Sequence, residues 1–130
     1  MDNKPTMLIV DDVNINRTVL AQFFHDEYRV VEAENGQEAL AMLEQEAAHI
    51  VLVDLMMPVM DGLEFMSTLK SNDHYKGLPV VAMTTHGDLD GQTWAVELGA
   101  ADFITKPFNP TIVRQRVRNV MGSSENEWRR

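Results

Sequence analysis

There is no cysteine among the 130 residues. That absence removes disulfides, iron–sulfur clusters, thiolate zinc sites and cysteine nucleophiles together. No apolar run approaches the ~20 residues that a membrane-spanning helix requires. Leu78 to Met83 is among the longest, and it contains Pro79. The opening Met1-Asp2-Asn3-Lys4-Pro5 lacks the apolar segment of a secretory signal. Basic residues are also few: 11 Lys and Arg stand against 20 Asp and Glu, a formal charge of −9, which repels nucleic acid on average. No repeat and no low-complexity segment is present. What is there is an ordinary globular composition, 45% hydrophobic and 24% charged. The length suits one domain around one core, expected in the cytoplasm.

The hydrophobic period switches back and forth along the chain. Met7-Leu8-Ile9-Val10 is a continuous apolar run ended by Asp11-Asp12, the pattern of a strand covered on both faces. From Val13 to His25 the spacing turns helical, with Ile15, Val19 and Phe23 at i, i+4, i+8 and Leu20 and Phe24 beside them. A second strand is predicted over 28–33, then a helix opened by Gly36 with Ala39, Leu40, Leu43 and Ala47 in one stripe. Ile50 to Val53 is a third buried strand ending at Asp54, and Phe65, Met66 and Leu69 mark the helix after it. Pro79 to Met83 reads as a fourth strand. The helix expected next, within 86–98, is weakened by Gly87 and Gly91. A fifth strand over 101–105 precedes Lys106-Pro107, and Val113, Val117, Val120 and Met121 form the stripe of a last helix that Gly122 would end. Residues 1–122 then form the domain, and 123–130 a polar, frayed tail or truncated linker carrying Trp128. Five strands alternating with five helices predict a parallel sheet with helices on both faces.

In such a sheet, ligands sit beyond the carboxyl ends of the strands, where the strand order reverses. The residues at those ends are Asp11 and Asp12, Asp54, Thr84 and Thr85, and Lys106. A single Asp there is often just a helix cap. Capping does not account for a doubled Asp, a third Asp and a Lys together. Two carboxylates ~4 Å apart repel by about 4 kcal/mol at an effective dielectric near 20. Such a pocket raises a pKa or recruits a cation, and hard oxygen donors without His or Cys favour Mg²⁺. A metal beside a carboxylate and a lysine suggests phosphoryl transfer, with one Asp as a nucleophile that forms an acyl phosphate.

Four segments, Leu8-Ile9-Val10-Asp11-Asp12, Val53-Asp54-Leu55-Met56-Met57-Pro58-Val59-Met60-Asp61-Gly62, Met83-Thr84-Thr85 and Phe103-Ile104-Thr105-Lys106-Pro107-Phe108, come in this order over nearly the whole chain. Together they resemble the receiver domain of two-component response regulators, of the single-domain chemotaxis type. The resemblance implies a doubly wound, flavodoxin-like five-stranded sheet in the order 2-1-3-4-5. It implies a phosphorylation-activated switch with no enzymatic turnover beyond its own phosphorylation and dephosphorylation. Asp54 would be the phosphoacceptor, supplied by a sensor histidine kinase or phosphotransfer protein. Asp12, Asp54 and the Met56 backbone carbonyl would ligate Mg²⁺ or Mn²⁺, with Asp11 acting through a water. Lys106, before a cis Pro107, would pair with the phosphoryl oxygens. Thr84 and Phe103 would be the switch residues, and Pro58 and Gly62 would shape the loop after Asp54. The readout face would comprise the fourth helix, fifth strand and last helix, contacting a downstream partner or output domain, with the chain a monomer or a dimer through that face.

Met56 and His86 occupy the two positions that tune phosphoryl lifetime in that family. Met56 cannot hydrogen-bond an attacking water, whereas His86 is expected either to contact that water, or the phosphoryl group when protonated, or to face solvent as an ordinary loop histidine. His25, His49 and His74 have neither metal-pair spacing nor a nucleophile beside them. Trp94 falls on the expected readout face. Arg114, Arg116 and Arg118 form no compact patch for nucleic acid, and are expected in solvent or in ion pairs with a second subunit. A flavodoxin-like FMN carrier shares the topology, but Asp11-Asp12 would repel the flavin phosphate. A haloacid-dehalogenase-type phosphatase needs D-x-D, and the sequence after Asp54 is Leu55-Met56. A receiver fold kept only as an interaction scaffold would not need the intact acidic and basic set. At this length no output domain is expected within the chain, so control would run through contacts or a longer parent protein.

Overall fold

The computed structural model of the chain describes residues 4–57, 59–85 and 87–128, with the backbone alone from 123 onward. Ten elements alternate: β1 (Thr6–Val10), α1 (Asn14–Phe24), β2 (Arg29–Ala33), α2 (Gly36–Gln45), β3 (Ile50–Asp54), α3 (Gly62–Lys70), β4 (Val80–Thr85), α4 (Leu89–Glu97), β5 (Asp102–Lys106) and α5 (Pro110–Trp128). The strands form one parallel sheet in the order β2-β1-β3-β4-β5, as the resemblance implies.

Alternation along the strands divides the core in two. Leu8, Val10, Val51, Val53, Val80 and Ala82 face one side, where α2, α3 and α4 contribute Leu43, Phe65, Met66, Leu69 and Ala95. Met7, Ile9, Ile50, Leu52, Val81 and Met83 face the other, against Leu20 and Phe24 of α1 and Val113, Val117 and Met121 of α5. Both faces of the central strands are therefore dry, which explains why these strands read as unbroken apolar runs. Each fully buried Leu or Phe contributes roughly 1.5–3 kcal/mol of transfer free energy. Anchoring is uneven: α4 buries only Gly91 and Ala95, whereas α3 buries Gly62, Phe65, Met66 and Leu69. A helix held by so little apolar contact is the one most easily shifted.

Three local expectations are corrected. In α1 the buried stripe is Arg17, Leu20 and Phe24, while Ile15 is exposed. The i, i+4, i+8 series starting at Ile15 lies on the edge of the helix, because α1 turns the Leu20–Phe24 side onto the sheet. In α2 the stripe ends at Leu43, since the helix stops at Gln45 and Ala47 lies exposed beyond it. Gly122 does not end α5, which continues to Trp128, so the backbone of 123–128 is helical rather than frayed. A glycine inside a helix costs about 1 kcal/mol relative to alanine but keeps its backbone donor and acceptor, so it weakens the helix without breaking it. Arg116 and Arg118 pair within the chain, with Asp102 at 2.9 Å and Glu27 at 3.6 Å, and Arg114 lies 5.3 Å over the Phe23 ring. Among the described residues no helix is long and apolar enough to cross a membrane.

Candidate functional site

The strand order reverses between β1 and β3, and the carboxyl ends of these strands place Asp11, Asp12 and Asp54 side by side. One carboxylate oxygen of each lies within 4.8 Å of the others. Asp11 is fully buried and Asp54 nearly so, at 4% exposure, while Asp12 is exposed. Lys106, at the end of β5, reaches across β4 to both buried acids, with its Nζ 3.0 Å from Asp54 Oδ2 and 3.3 Å from Asp11 Oδ2. The Lys106-Pro107 peptide is cis, as the resemblance implies.

Each buried carboxylate is further held by local donors. The Met56 N–H donates to Asp54 Oδ1 at 3.1 Å, while Met56 itself is exposed. Asp11 Oδ1 accepts from the Val13 N–H at 2.9 Å, and Asp11 Oδ2 accepts from Asn16 Nδ2 at 3.3 Å. Beneath the loop, the buried Arg17 donates to the Asp11 carbonyl at 2.6 Å, to Asn14 at 3.0 Å and to Glu32 at 3.1 Å. Arg17 thus ties the start of α1 to the ends of β1 and β2. Sequence reasoning missed it, because an arginine in a helical stripe reads as solvated; only its place in the Leu20–Phe24 register marks it as inward.

The charges do not balance. Three carboxylates face one ammonium, and burial is the largest effect on Asp54. Burial together with the Asp11 charge raises the Asp54 carboxyl pKa above its ordinary value, against the opposing pull of Lys106 and the Met56 N–H. For Lys106, burial lowers the pKa, and the hydrogen bonds and charges of Asp54 and Asp11 outweigh it, so the ammonium is held more firmly than usual. The donor set is all oxygen and net negative, which fits a small hard dication and offers nothing to a soft one.

Thr84, the last buried residue of β4, follows Met83, the register partner of Asp54. Its hydroxyl donates to Asp88 Oδ2 at 3.2 Å, and Asp88 caps α4 by accepting the Gly91 N–H at 3.0 Å. Asp88 was not singled out from the sequence, although an Asp four residues past the Thr and three before Gly91 is a legible cap signal. Phe103 on β5 is half-buried against the core and lines a hollow with Leu89, Gln92, Thr93 and Val96 of α4. Trp94 is 54% exposed on α4, near the exposed Leu89 and Val96 in sequence. Gly62 opens α3 and packs directly against the backbone of Asp54 and Leu55. Pro58 and His86 lie outside the described residues. His49 accepts the Thr6 N–H on its Nδ1 at 2.9 Å, far along the sheet from the acidic cluster.

The model of the response regulator receiver domain family matches residues 7–118. A chemotaxis protein CheY homolog of Campylobacter jejuni is 31% identical over 126 residues, covering 93% of this chain and 95% of that protein. A probable transcriptional regulator, ycf27, of Cyanophora paradoxa is 34% identical over 95% of this chain, and a histidine kinase of Formosa agariphila is 34% identical over 97% of it. The chain spans only about half the length of the first of these longer relatives, 51%, and 9% of the second. Among solved structures, a putative response regulator from Chloroflexus aurantiacus superposes with a TM-score of 0.89 at 29% identity, over 92% of this chain and 99% of that one.

Proposed function

The chain belongs to the response regulator receiver domain family, and from that premise we propose that it is a phosphorylation switch whose phosphoacceptor is Asp54. The observation that carries this reading is Lys106 meeting two buried carboxylates, Asp54 and Asp11, from different strands at 3.0 and 3.3 Å. In the proposed step an Asp54 carboxylate oxygen attacks the phosphorus of a phosphohistidine on a histidine kinase or phosphotransfer protein. The new O–P bond forms as the P–N bond breaks, and the electron pair leaves with the imidazole nitrogen, which takes up a proton.

Asp12, Asp54 and the Met56 carbonyl are the groups that would hold Mg²⁺, with Asp11 acting through a water. The chemistry supplied by the bound ion is neutralisation of the charge gathered between phosphoryl oxygens and carboxylates. Lys106 orients the acceptor and then pairs with a phosphoryl oxygen. The Met56 N–H holds Asp54 Oδ1 and Lys106 Nζ holds Oδ2, and together they fix the orientation of the attacking carboxylate. Arg17 keeps the Asp11 end of the loop from relaxing outward.

Phosphorylation adds negative charge and acceptor oxygens next to the end of β4. Thr84 is the nearest hydroxyl on the neighbouring strand by register, so its engagement would bias the lightly anchored α4. The readout surface inferred is the face of α4, β5 and α5, where the exposed Leu89 and Val96 of α4 lie beside Phe103 of β5, and its target is a partner protein or output domain. The test is incubation with acetyl phosphate and Mg²⁺, read by intact mass. One phosphoryl addition, abolished in Asp54→Asn, is the expected result. No addition, either from acetyl phosphate or from a phosphorylated donor protein, would refute it.

A further inference from the structure

We propose that Asp88 is a positioning residue that holds the Thr84 hydroxyl in the unphosphorylated chain and couples its release to the N-terminus of α4. This inference rests on the phosphoacceptor reading of Asp54. Three observations carry it. Thr84 is buried and donates its hydroxyl proton to Asp88 Oδ2 at 3.2 Å. The other oxygen of the same carboxylate, Oδ1, accepts the Gly91 N–H at 3.0 Å and so caps α4. Residue 91 is a glycine in the first turn of a helix, three residues after the cap, where alanine would be the better helix former. Its missing Cβ would lie 2.3 Å from Asp88 Oδ2 and 2.9 Å from Asp88 Cγ, so the carboxylate fills the space that glycine leaves open.

A hydroxyl has one proton. While it is given to Asp88 it is not available to a phosphoryl oxygen on Asp54, and the two acceptors compete. When the phosphoryl group wins, Asp88 loses one of its two bonds, and its remaining hold is on α4 alone. That helix buries little apolar surface, so a change at its cap is felt along its length. The strand-end chemistry and the readout helix therefore share one carboxylate.

Asp88→Asn separates capping from holding. The amide oxygen still accepts the Gly91 N–H, but the acceptor for the Thr84 hydroxyl becomes an NH₂ group. Gly91→Ala acts from the other side, pushing the carboxylate away while improving helix propensity. The probe is beryllofluoride with Mg²⁺, a mimic of the aspartyl phosphate, titrated while the Thr84 methyl and the α4 amide signals are followed by NMR. Both variants should bind it about tenfold more tightly than the unaltered chain, with the α4 amides of the free variants shifted part of the way toward the bound positions. In a Thr84→Val background, Asp88→Asn should change the affinity by less than about twofold, because no hydroxyl remains to compete.

Equal affinity in Asp88→Asn, Gly91→Ala and the unaltered chain would overturn the proposal, as would weaker binding in both variants. A gain of the same size with and without the Thr84 hydroxyl would assign the effect to removal of a nearby charge and overturn it too. If the unaltered chain binds no beryllofluoride and takes no phosphoryl group, the phosphoacceptor reading fails first and takes this one with it.

Discussion

Replacing Gly62 with alanine places a methyl group against the phosphoacceptor's own backbone. An ideal Cβ there lies 2.3 Å from the Asp54 carbonyl oxygen, 2.7 Å from Leu55 Cα and 2.9 Å from the Asp54 carbonyl carbon. All three are main-chain atoms, so no rotamer change relieves the contact. Comfortable separations of ~3.5 Å require α3 and the end of β3 to part by about an ångström. Both segments are packed: Phe65, Met66 and Leu69 anchor α3 without exposure, and Asp54 is the last residue of a strand paired on both sides. Forced overpacking of this kind costs about 2–3 kcal/mol. For a chain of this length each kcal/mol lowers Tm by roughly 4 °C, so Gly62→Ala should melt about 8–12 °C below the unaltered protein.

Gly36→Ala is the matched control. The three atoms nearest its Cβ all belong to the Met60 side chain, at 2.7–3.0 Å, and a methionine can move aside. Its melting point should stay within about 3 °C of the parent. Thermal unfolding followed by circular dichroism, with phosphoryl incorporation measured on the same samples, separates the two. Incorporation should fall in Gly62→Ala, because the shift moves the Asp54 carboxylate relative to Lys106. Equal melting of Gly62→Ala and Gly36→Ala would refute the close-approach argument.

Three further outcomes follow from the same geometry. Val59 is a β-branched residue at φ 70° in the loop after Asp54, so Val59→Gly should raise stability by about 1 kcal/mol, read from the urea midpoint; a loss would mean the side chain contributes more than its strain costs. Asp54→Asn without divalent cation should be more stable than the parent at pH 7, by on the order of 1 kcal/mol. The sign follows from the raised Asp54 carboxyl: its stabilising contribution is present below the ordinary value of 3.8 and lost as pH rises through the higher folded value, so the gap between variant and parent should close on acidification. A gap that widens toward low pH in urea titrations would refute that. Arg17→Met strips donors from the Asp11 carbonyl, Asn14 and Glu32, and should cost about 2–4 kcal/mol while weakening Mg²⁺ binding, both measurable by denaturation with and without the ion.

Where a physical pattern is local, the sequence alone suffices. The buried strands are legible because parallel strands covered on both faces must be apolar throughout, and the alternation with helices then constrains the connections. Asp11, Asp12, Asp54, Thr84 and Lys106 are legible as a set because each directly follows or ends such a run, and strand ends in a parallel sheet share an edge. Helix boundaries and faces are less so. Ile15 and Ala47 looked as apolar as their neighbours, and which side of α1 turns inward depends on where the sheet lies, not on the helix itself. Gly122 looked like an end, although the anchored stripe before it carries α5 further.

Tertiary structure decided how the site is held and balanced. That Arg17 is buried, that Lys106 spans two acids at once, and that burial outweighs the lysine at Asp54 all depend on residues distant in the chain meeting in a dry place. The same holds for Asp88, whose two oxygens serve a strand and a helix together. The identity and order of the residues determine which chemistry is available. Their separation in space, and the water excluded between them, determine the protonation and the pairing from which that chemistry starts.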